Sequence, residues 1–132
     1  MGEVGRDVDG SRVRALVVDD DRDIAELVQM ALSEEGYEVV LAPNGAAALN
    51  ASRSQLFDII LLDMRMPVMD GWTFARSYRE QPGPHAPMIV VTAARDASTR
   101  AAEIDADGYL AKPFSLAELF DIVGRHVRRS LA

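Results

Sequence analysis

Apolar residues recur along this chain in two alternating patterns, short continuous runs and longer amphipathic stretches. Five short runs predict β-strands, at residues 13–18, 37–42, 57–62, 88–92 and 108–111. The third and fourth runs, FDIILL and MIVVT, lack the polar alternation of a half-exposed strand. Such runs are typical of strands that are buried on both faces, as in a parallel sheet covered by helices.

The first and last amphipathic stretches carry clear helix signals. In the first, apolar residues recur at helical spacing from Ile24 to Leu32, with Asp21 or its neighbour as the candidate N-cap and Gly36 as a left-handed terminator. The last begins with the capping-box sequence SLAE at residues 115–118. We expect it to bury one apolar stripe, formed by Leu116, Leu119, Phe120, Val123 and Val127.

Three further helices are predicted between the inner strands. They cover residues 46–53, about 71–80 and about 98–104, and the last of these is poor in large apolar residues, so we expect it to be lightly anchored. Five consecutive strand–helix units with short connections predict an α/β fold, because right-handed crossovers place helices on both faces of a parallel sheet. In such folds the ligand site lies outside the carboxyl ends of the strands, where the strand order reverses.

Length, composition and charge limit the class of protein. The 132 residues suit one domain, and 48% apolar with 27% charged residues indicate a folded chain. Residues 1–12 have almost no apolar content and are predicted to be a flexible tail, which leaves residues 13–132 as the domain. The absence of cysteine excludes disulfides and thiolate metal sites. The net charge of −7 argues against nucleic-acid binding, and the apolar runs are too short to span a bilayer, so we expect a cytoplasmic protein without a membrane partner.

Polar or charged residues stand at the ends of four predicted strands. Asp19 and Asp20 follow the first strand, Asp63 follows the third, Thr92 ends the fourth and Lys112 follows the fifth. Each residue alone has an ordinary explanation, as a helix cap, a turn former, a strand terminus or a loop lysine. Together they predict one site, because the carboxyl ends of parallel strands meet at one edge of the sheet.

The chemistry of this set points to phosphoryl transfer. Three neighbouring carboxylates repel one another and raise one another's pKa unless a cation offsets their charge. With only oxygen ligands, Mg²⁺ is the expected ion and Mn²⁺ the alternative. Asp63 is then a candidate carboxylate nucleophile towards phosphorus, while Lys112 and Thr92 would neutralise or hydrogen-bond the transferring oxygens.

The motifs LVVDDD, LLDMRMPVMDG, VVTA and YLAKPF resemble those of response-regulator receiver domains of two-component signalling systems, over about residues 13–129. The resemblance implies a doubly wound (βα)5 fold of flavodoxin-like strand order 2-1-3-4-5. It implies that Mg²⁺ is held by Asp19, Asp20, Asp63 and the backbone carbonyl of Arg65. It also implies that Asp63 is the phosphoacceptor and that the phosphoryl group comes from a partner histidine kinase or histidine phosphotransfer protein.

The remaining site residues are also implied by the resemblance. Thr92 and Lys112 would contact the phosphoryl group, Thr92 and Tyr109 would form the switch, and the Lys112–Pro113 bond would be cis. Such a protein catalyses only its own phosphorylation and dephosphorylation and is not a conventional enzyme. The fourth helix, fifth strand and fifth helix would bind a downstream protein, an output domain or, on phosphorylation, a second copy.

Two other functions are weighed against this one. A haloacid-dehalogenase-like phosphatase also uses an aspartyl nucleophile and Mg²⁺, but it resembles the pattern Asp-x-Asp, and here Arg65 occupies the second position. A degenerate receiver that only binds proteins usually lacks a residue of the acidic pair, the phosphoacceptor aspartate, the threonine or the lysine. This chain has all of them. The sequence leaves open whether the chain is a stand-alone regulator or part of a longer protein.

Overall fold

A computed structural model describes residues 12–127 of the chain. Strands and helices alternate in the predicted order, and each predicted element is present. The elements are β1 (Arg14–Val18), α1 (Arg22–Glu34), β2 (Glu38–Ala42), α2 (Gly45–Ser54), β3 (Ile59–Leu62), α3 (Gly71–Glu80), β4 (Met88–Ala93), α4 (Ala97–Glu103), β5 (Gly108–Lys112) and α5 (Leu116–His126). The predicted tail at residues 1–12, apart from Arg12, and the last five residues of the predicted domain lie outside the described part.

The five strands form one parallel sheet in the order β2-β1-β3-β4-β5, which confirms the predicted topology. Val18, the last residue of β1, pairs with Ala42 on β2 and with Leu62 on β3. The carboxyl ends of these three strands are therefore level with one another. The strand order reverses between β1 and β3, and this is where a doubly wound fold opens a crevice for a ligand.

Two separate cores cover the two faces of the sheet. On one face, α2, α3 and α4 bury Leu49, Phe74 and Ala101 against strand residues such as Ile60. On the other face, α1 and α5 bury a second cluster that includes Leu32 and Leu119. Because successive strand residues point to opposite faces, every position of β3 is buried. This explains the absence of polar alternation in that strand.

Local sequence signals place the helix ends as predicted. The Asp21 carboxylate accepts the backbone N–H groups of Asp23 and Ile24 at the start of α1. Gly36, just beyond the end of α1, has φ 96°, a left-handed conformation that glycine adopts without a steric penalty. Ser115 and Glu118 form the reciprocal capping box of α5. The described helices include none that is both long and apolar enough to cross a bilayer.

The predicted buried stripe of α5 is wrong in part. Leu116 is 43% exposed, whereas Leu119, Ile122 and Val123 are the buried residues of the helix. Relative to Leu119, the position of Leu116 lies about 60° around the helix on one side and Ile122 about 60° on the other. The two positions are equally far from Leu119 around the helix, so their position along the helix separates them. Leu116 is the first residue of α5, next to the N-cap, whereas Ile122 lies in the middle of the helix and packs in the core with Leu119. Phe120 and Val127 are partly buried.

Candidate functional site

Three aspartates meet at the carboxyl edge of the sheet. Asp19 and Asp63 are buried, with 6% and 8% of their surface exposed, whereas Asp20 is exposed. One carboxylate oxygen from each of the three residues can be chosen so that all lie within 4.8 Å of one another. Residues that are more than 40 positions apart in sequence thus form a single acidic cluster, as the strand order predicts.

The sheet itself places two of these aspartates. The backbone N–H of Asp19 donates to the carbonyl of Ala42 at 3.0 Å, and that of Asp63 donates to the carbonyl of Val18 at 2.9 Å. The parallel hydrogen-bond ladder therefore continues one residue past the strands and holds the backbone of the site. The Asp63 side chain is oriented in addition by Met64, whose backbone N–H donates to Asp63 Oδ1 at 2.9 Å.

Lys112 brings the positive charge of the site. Its Nζ lies 2.9 Å from Asp19 Oδ2 and 3.9 Å from Asp63 Oδ2. The Lys112–Pro113 peptide bond is cis. The ammonium group therefore faces both buried carboxylates, and its charge partly offsets theirs.

Burial dominates the electrostatics of Asp63. The pKa of this carboxyl is raised from its ordinary 3.8 to about 6. Burial is the largest cause, and the charges of Asp19 and Asp20 also raise the pKa, whereas Lys112 and the Met64 N–H lower it. One ammonium group therefore does not neutralise the cluster. A further positive charge at this position would stabilise the ionised form of all three aspartates.

The donor set fits a hard divalent cation. The cluster consists of carboxylate oxygens, which are the ligands that Mg²⁺ and Mn²⁺ prefer, and it carries more negative charge than Lys112 can balance. The exposed Asp20 leaves one side of the cluster open to solvent, as a metal that keeps water ligands requires.

The other sequence-predicted residues lie around this edge with different exposure. Thr92 is half-buried on β4 and pairs in register with Ala111, the neighbour of Lys112. Tyr109, three residues earlier on the edge strand β5, has 49% of its surface exposed. Arg65 follows Asp63 by two positions, and its guanidinium carbon lies 5.4 Å from the centroid of the Trp72 ring.

The loop between β3 and α3 is held by two glycines whose role was not predicted from the sequence. The N–H of Gly71 donates to the Met64 carbonyl at 2.8 Å, and a Cβ added to Gly71 would lie 2.7 Å from the carbonyl oxygen of Asp63. The N–H of Gly45 donates to the Met69 carbonyl at 2.9 Å, and a Cβ there would lie 2.7 Å from Met69 Cγ. Only glycine permits such close approach of the backbone. The sequence signal is the glycine in Asp70-Gly71 and Asn44-Gly45, which otherwise looks like ordinary turn chemistry.

The same loop contains a strained residue. Val68 has φ 70° and is 84% exposed. It is the central residue of a tight turn in which the N–H of Met69 donates to the Pro67 carbonyl at 2.8 Å. A left-handed conformation is unfavourable for a β-branched residue, and this turn closes over only three residues. The strain lies a few residues from Asp63, where strained backbone is commonly associated with function.

Comparison with known proteins gives one consistent result. The family model of the response regulator receiver domain matches residues 15–124. Proteins called Response regulator MprA, from Mycolicibacterium vanbaalenii and Mycobacterium tuberculosis, are 42% identical over 120 residues, which is 89% of this chain and 52% of theirs. The chain therefore spans about half the length of these curated relatives.

Solved structures show the same fold. The chemotaxis response regulator CheY4 of Vibrio cholerae superposes with a TM-score of 0.79 at 31% identity, over 87% of this chain and 98% of its own. The response regulator TrrA of Thermotoga maritima, solved in complex with Mg²⁺ and BeF, superposes with a TM-score of 0.76 at 35% identity, over 87% of this chain and 99% of its own. The similarity to receiver domains does not favour the haloacid-dehalogenase-like alternative.

Proposed function

Because this chain belongs to the response regulator receiver family, we propose that it is a magnesium-dependent switch in which Asp63 accepts a phosphoryl group from a histidine of a partner protein. The observation that carries the residue assignment is the meeting of Asp19, Asp20, Asp63 and Lys112 at one edge of the sheet. The partner is a histidine kinase or a histidine phosphotransfer protein.

We assign the metal site to Asp19, Asp20 and Asp63, with the backbone carbonyl of Arg65 as a further ligand. Mg²⁺ is the expected ion and Mn²⁺ the alternative. When bound, the ion supplies positive charge that offsets the carboxylates and the incoming phosphoryl oxygens. The excess of negative charge in the cluster and the TrrA structure with Mg²⁺ and BeF support this assignment.

The two oxygens of Asp63 have different surroundings, and this selects the nucleophile. Oδ1 accepts the Met64 N–H, whereas Oδ2 is the oxygen nearest to Lys112. We assign the attack on phosphorus to Oδ2: the new bond forms between this oxygen and phosphorus, and the bond from phosphorus to the donor histidine nitrogen breaks. Lys112 would neutralise one phosphoryl oxygen and the Thr92 hydroxyl would donate to another.

Phosphorylation would then change the surface around β5. Thr92 would be drawn towards the phosphoryl group, and Tyr109, which is half exposed, would turn into the space that Thr92 leaves. The faces of α4, β5 and α5 would carry the change to a downstream protein, an output domain or a second copy of the chain. This domain would act in the cytoplasm without direct nucleic-acid contact. Apart from its own phosphorylation and dephosphorylation it would catalyse no reaction.

Phosphorylation from a small donor tests the assignment directly. Acetyl phosphate is mixed with the wild type and with Asp63→Asn, each with Mg²⁺ or with EDTA, and the protein mass is measured. Asp58→Asn is the matched control, because Asp58 immediately precedes β3 and lies at the opposite end of that strand from Asp63. We expect the wild type and D58N to gain one phosphoryl group with Mg²⁺ only. A wild type that stays unmodified with Mg²⁺, or a D63N protein that is modified equally well, would contradict the proposal.

A further inference from the structure

Trp72 stands at the centre of a polar cluster that joins α3, α4 and the loop after β3. Its indole Nε1–H donates to Glu103 Oε1 at 2.8 Å. Arg100 Nη1 lies 2.7 Å and 2.9 Å from the two carboxylate oxygens of Glu103. The guanidinium carbons of Arg65 and Arg100 lie 5.4 Å and 5.5 Å from the centroid of the Trp72 ring, within the range of cation–π attraction. We call these four residues, Arg65, Trp72, Arg100 and Glu103, the Trp72 cluster.

The contacts of Glu103 shift its pKa although the residue is on the surface. The pKa of this carboxyl lies below its ordinary value, chiefly because the Trp72 indole donates a hydrogen bond to the ionised form, and secondarily because Arg100 and Arg65 are nearby. The charged form of Glu103 is therefore the one that the cluster holds.

α4 depends on such contacts because its own stability is low. It has seven residues, of which Ala97 and Ala101 are buried, and its N-cap residue Asp96 makes no side-chain cap hydrogen bond. A helix of two turns with two buried alanines is marginal without help from neighbouring elements. α4 packs against β4 and β5. α3 adds side-chain contacts at the C-terminal end of α4, where Arg79 donates to the backbone carbonyls of Ile104 and Asp105 and Trp72 donates to Glu103.

The same indole also contacts the loop next to the phosphoacceptor. Arg65 is two residues beyond Asp63, and the Proposed function assigns its backbone carbonyl to the metal site. We infer that Trp72 and Glu103 form a latch that holds α4 in its unphosphorylated position and ties that position to the loop after Asp63. This inference rests on the proposed function, and it makes Trp72 and Glu103 positioning residues.

The latch has a consequence for ligand binding at Asp63. A latch of this kind implies that the bond between Trp72 and Glu103 is stronger in the unphosphorylated form than in the phosphorylated form. Removing the bond therefore favours the phosphorylated form. By linkage, the affinity for a phosphoryl mimic must rise by the factor by which the equilibrium shifts towards the phosphorylated form. For a hydrogen bond to a partly exposed carboxylate, we expect a change of about threefold.

Three variants and one control test the latch. Trp72→Phe removes the N–H donor but keeps an aromatic face for Arg65, and Glu103→Gln removes the charge that pairs with Arg100. The double variant W72F/E103Q completes the cycle, and Glu80→Gln, an exposed glutamate that ends α3, controls for the change in net charge. The affinity of each Mg²⁺-loaded protein for beryllofluoride is measured by titration calorimetry. Amide NMR shifts of residues 97–103 report the position of α4 without ligand.

The expected result is a beryllofluoride affinity about threefold higher for W72F and unchanged for E80Q. E103Q should give a smaller rise, because the amide oxygen of glutamine is a weaker acceptor for the indole N–H than a carboxylate. The double variant should bind no more tightly than W72F, because W72F has already removed the bond that E103Q weakens. The α4 amides of ligand-free E103Q should also move towards their positions in the beryllofluoride complex. Unchanged or weaker binding by both variants, or additive effects in the double variant, would overturn the latch. A wild type that does not bind beryllofluoride with Mg²⁺ would overturn the proposed function. The amide shifts of the ligand-free variants would then test only whether the bond from Trp72 to Glu103 holds α4 in place, and unchanged shifts in W72F and E103Q would overturn that as well.

Discussion

Replacing Asp63 by asparagine is expected to stabilise the metal-free protein. Asparagine has nearly the same shape, and its Oδ1 can still accept the Met64 N–H, but it carries no charge in the acidic cluster. Burial and the charges of Asp19 and Asp20 raise the pKa of Asp63 to about 6 in spite of Lys112. The ionised carboxylate is therefore less stable in the folded chain than in the unfolded one, and removing its charge removes this cost.

The sign and size follow from linkage. Because the folded-state pKa is raised, the favourable contribution of Asp63 is complete below about pH 4 and is lost as the pH rises through about 6. A rise from 3.8 to about 6 corresponds to at most ~3 kcal/mol above that range. Since the site is open to solvent on the side of Asp20, we discount this limit for screening and expect about 1 to 2 kcal/mol.

Urea unfolding in EDTA measures this difference. Near pH 7.5 we expect the free energy of unfolding of D63N to exceed that of the wild type by about 1 to 2 kcal/mol, and near pH 4 we expect the two to be equal. D58N, whose carboxylate lies outside the acidic cluster, should show no comparable gain. Added Mg²⁺ should stabilise the wild type and not D63N. If D63N were no more stable than the wild type near pH 7.5, with unchanged denaturant slopes, the electrostatic account of the site would be refuted.

Three other predictions concern the site and its loop. Mg²⁺ affinity should fall as the pH drops below about 6, because protons compete with the ion for Asp63, and calorimetry between about pH 5 and 8 would show this; a constant affinity would contradict it. Gly71→Ala should lower the free energy of unfolding by about 1 to 3 kcal/mol and weaken Mg²⁺ binding, because the new Cβ meets the Asp63 carbonyl. Gly124→Ala on α5, where a Cβ meets nothing within 4 Å, should raise the free energy of unfolding by up to ~1 kcal/mol in the same urea assay. Equal effects of the two variants would refute the close approach at Gly71. Val68→Gly should raise the thermal midpoint slightly, since relief of the left-handed strain, about 1 kcal/mol or more, exceeds the entropy cost of glycine; a lower midpoint would show that the turn is not strained.

Features that depend on a few neighbouring residues were predictable from the sequence. The N-cap at Asp21, the left-handed Gly36 and the capping box of Ser115 and Glu118 each rest on contacts within four residues, and the structure has all three. The buried inner strands β1, β3 and β4 were predictable for the same reason, because a run of apolar residues needs cover on both faces wherever it lies. The meeting of Asp19, Asp63 and Lys112 followed from one further rule, that parallel strands share an edge.

Features that depend on how whole elements pack were decided by the tertiary structure. Helical periodicity gives the spacing of a stripe but not which of its residues the sheet covers, which is why the predicted stripe included Leu116, at the start of α5, and omitted Ile122. The bond from Trp72 to Glu103 joins residues 31 positions apart, and no local pattern signals it. The raised pKa of Asp63 likewise depends on burial by the complete fold and on charges from other strands. The sequence determined the local conformations and the chemical types at the sheet edge, because these act over a few residues, whereas distances and burial exist only after the sheet and its helices have packed.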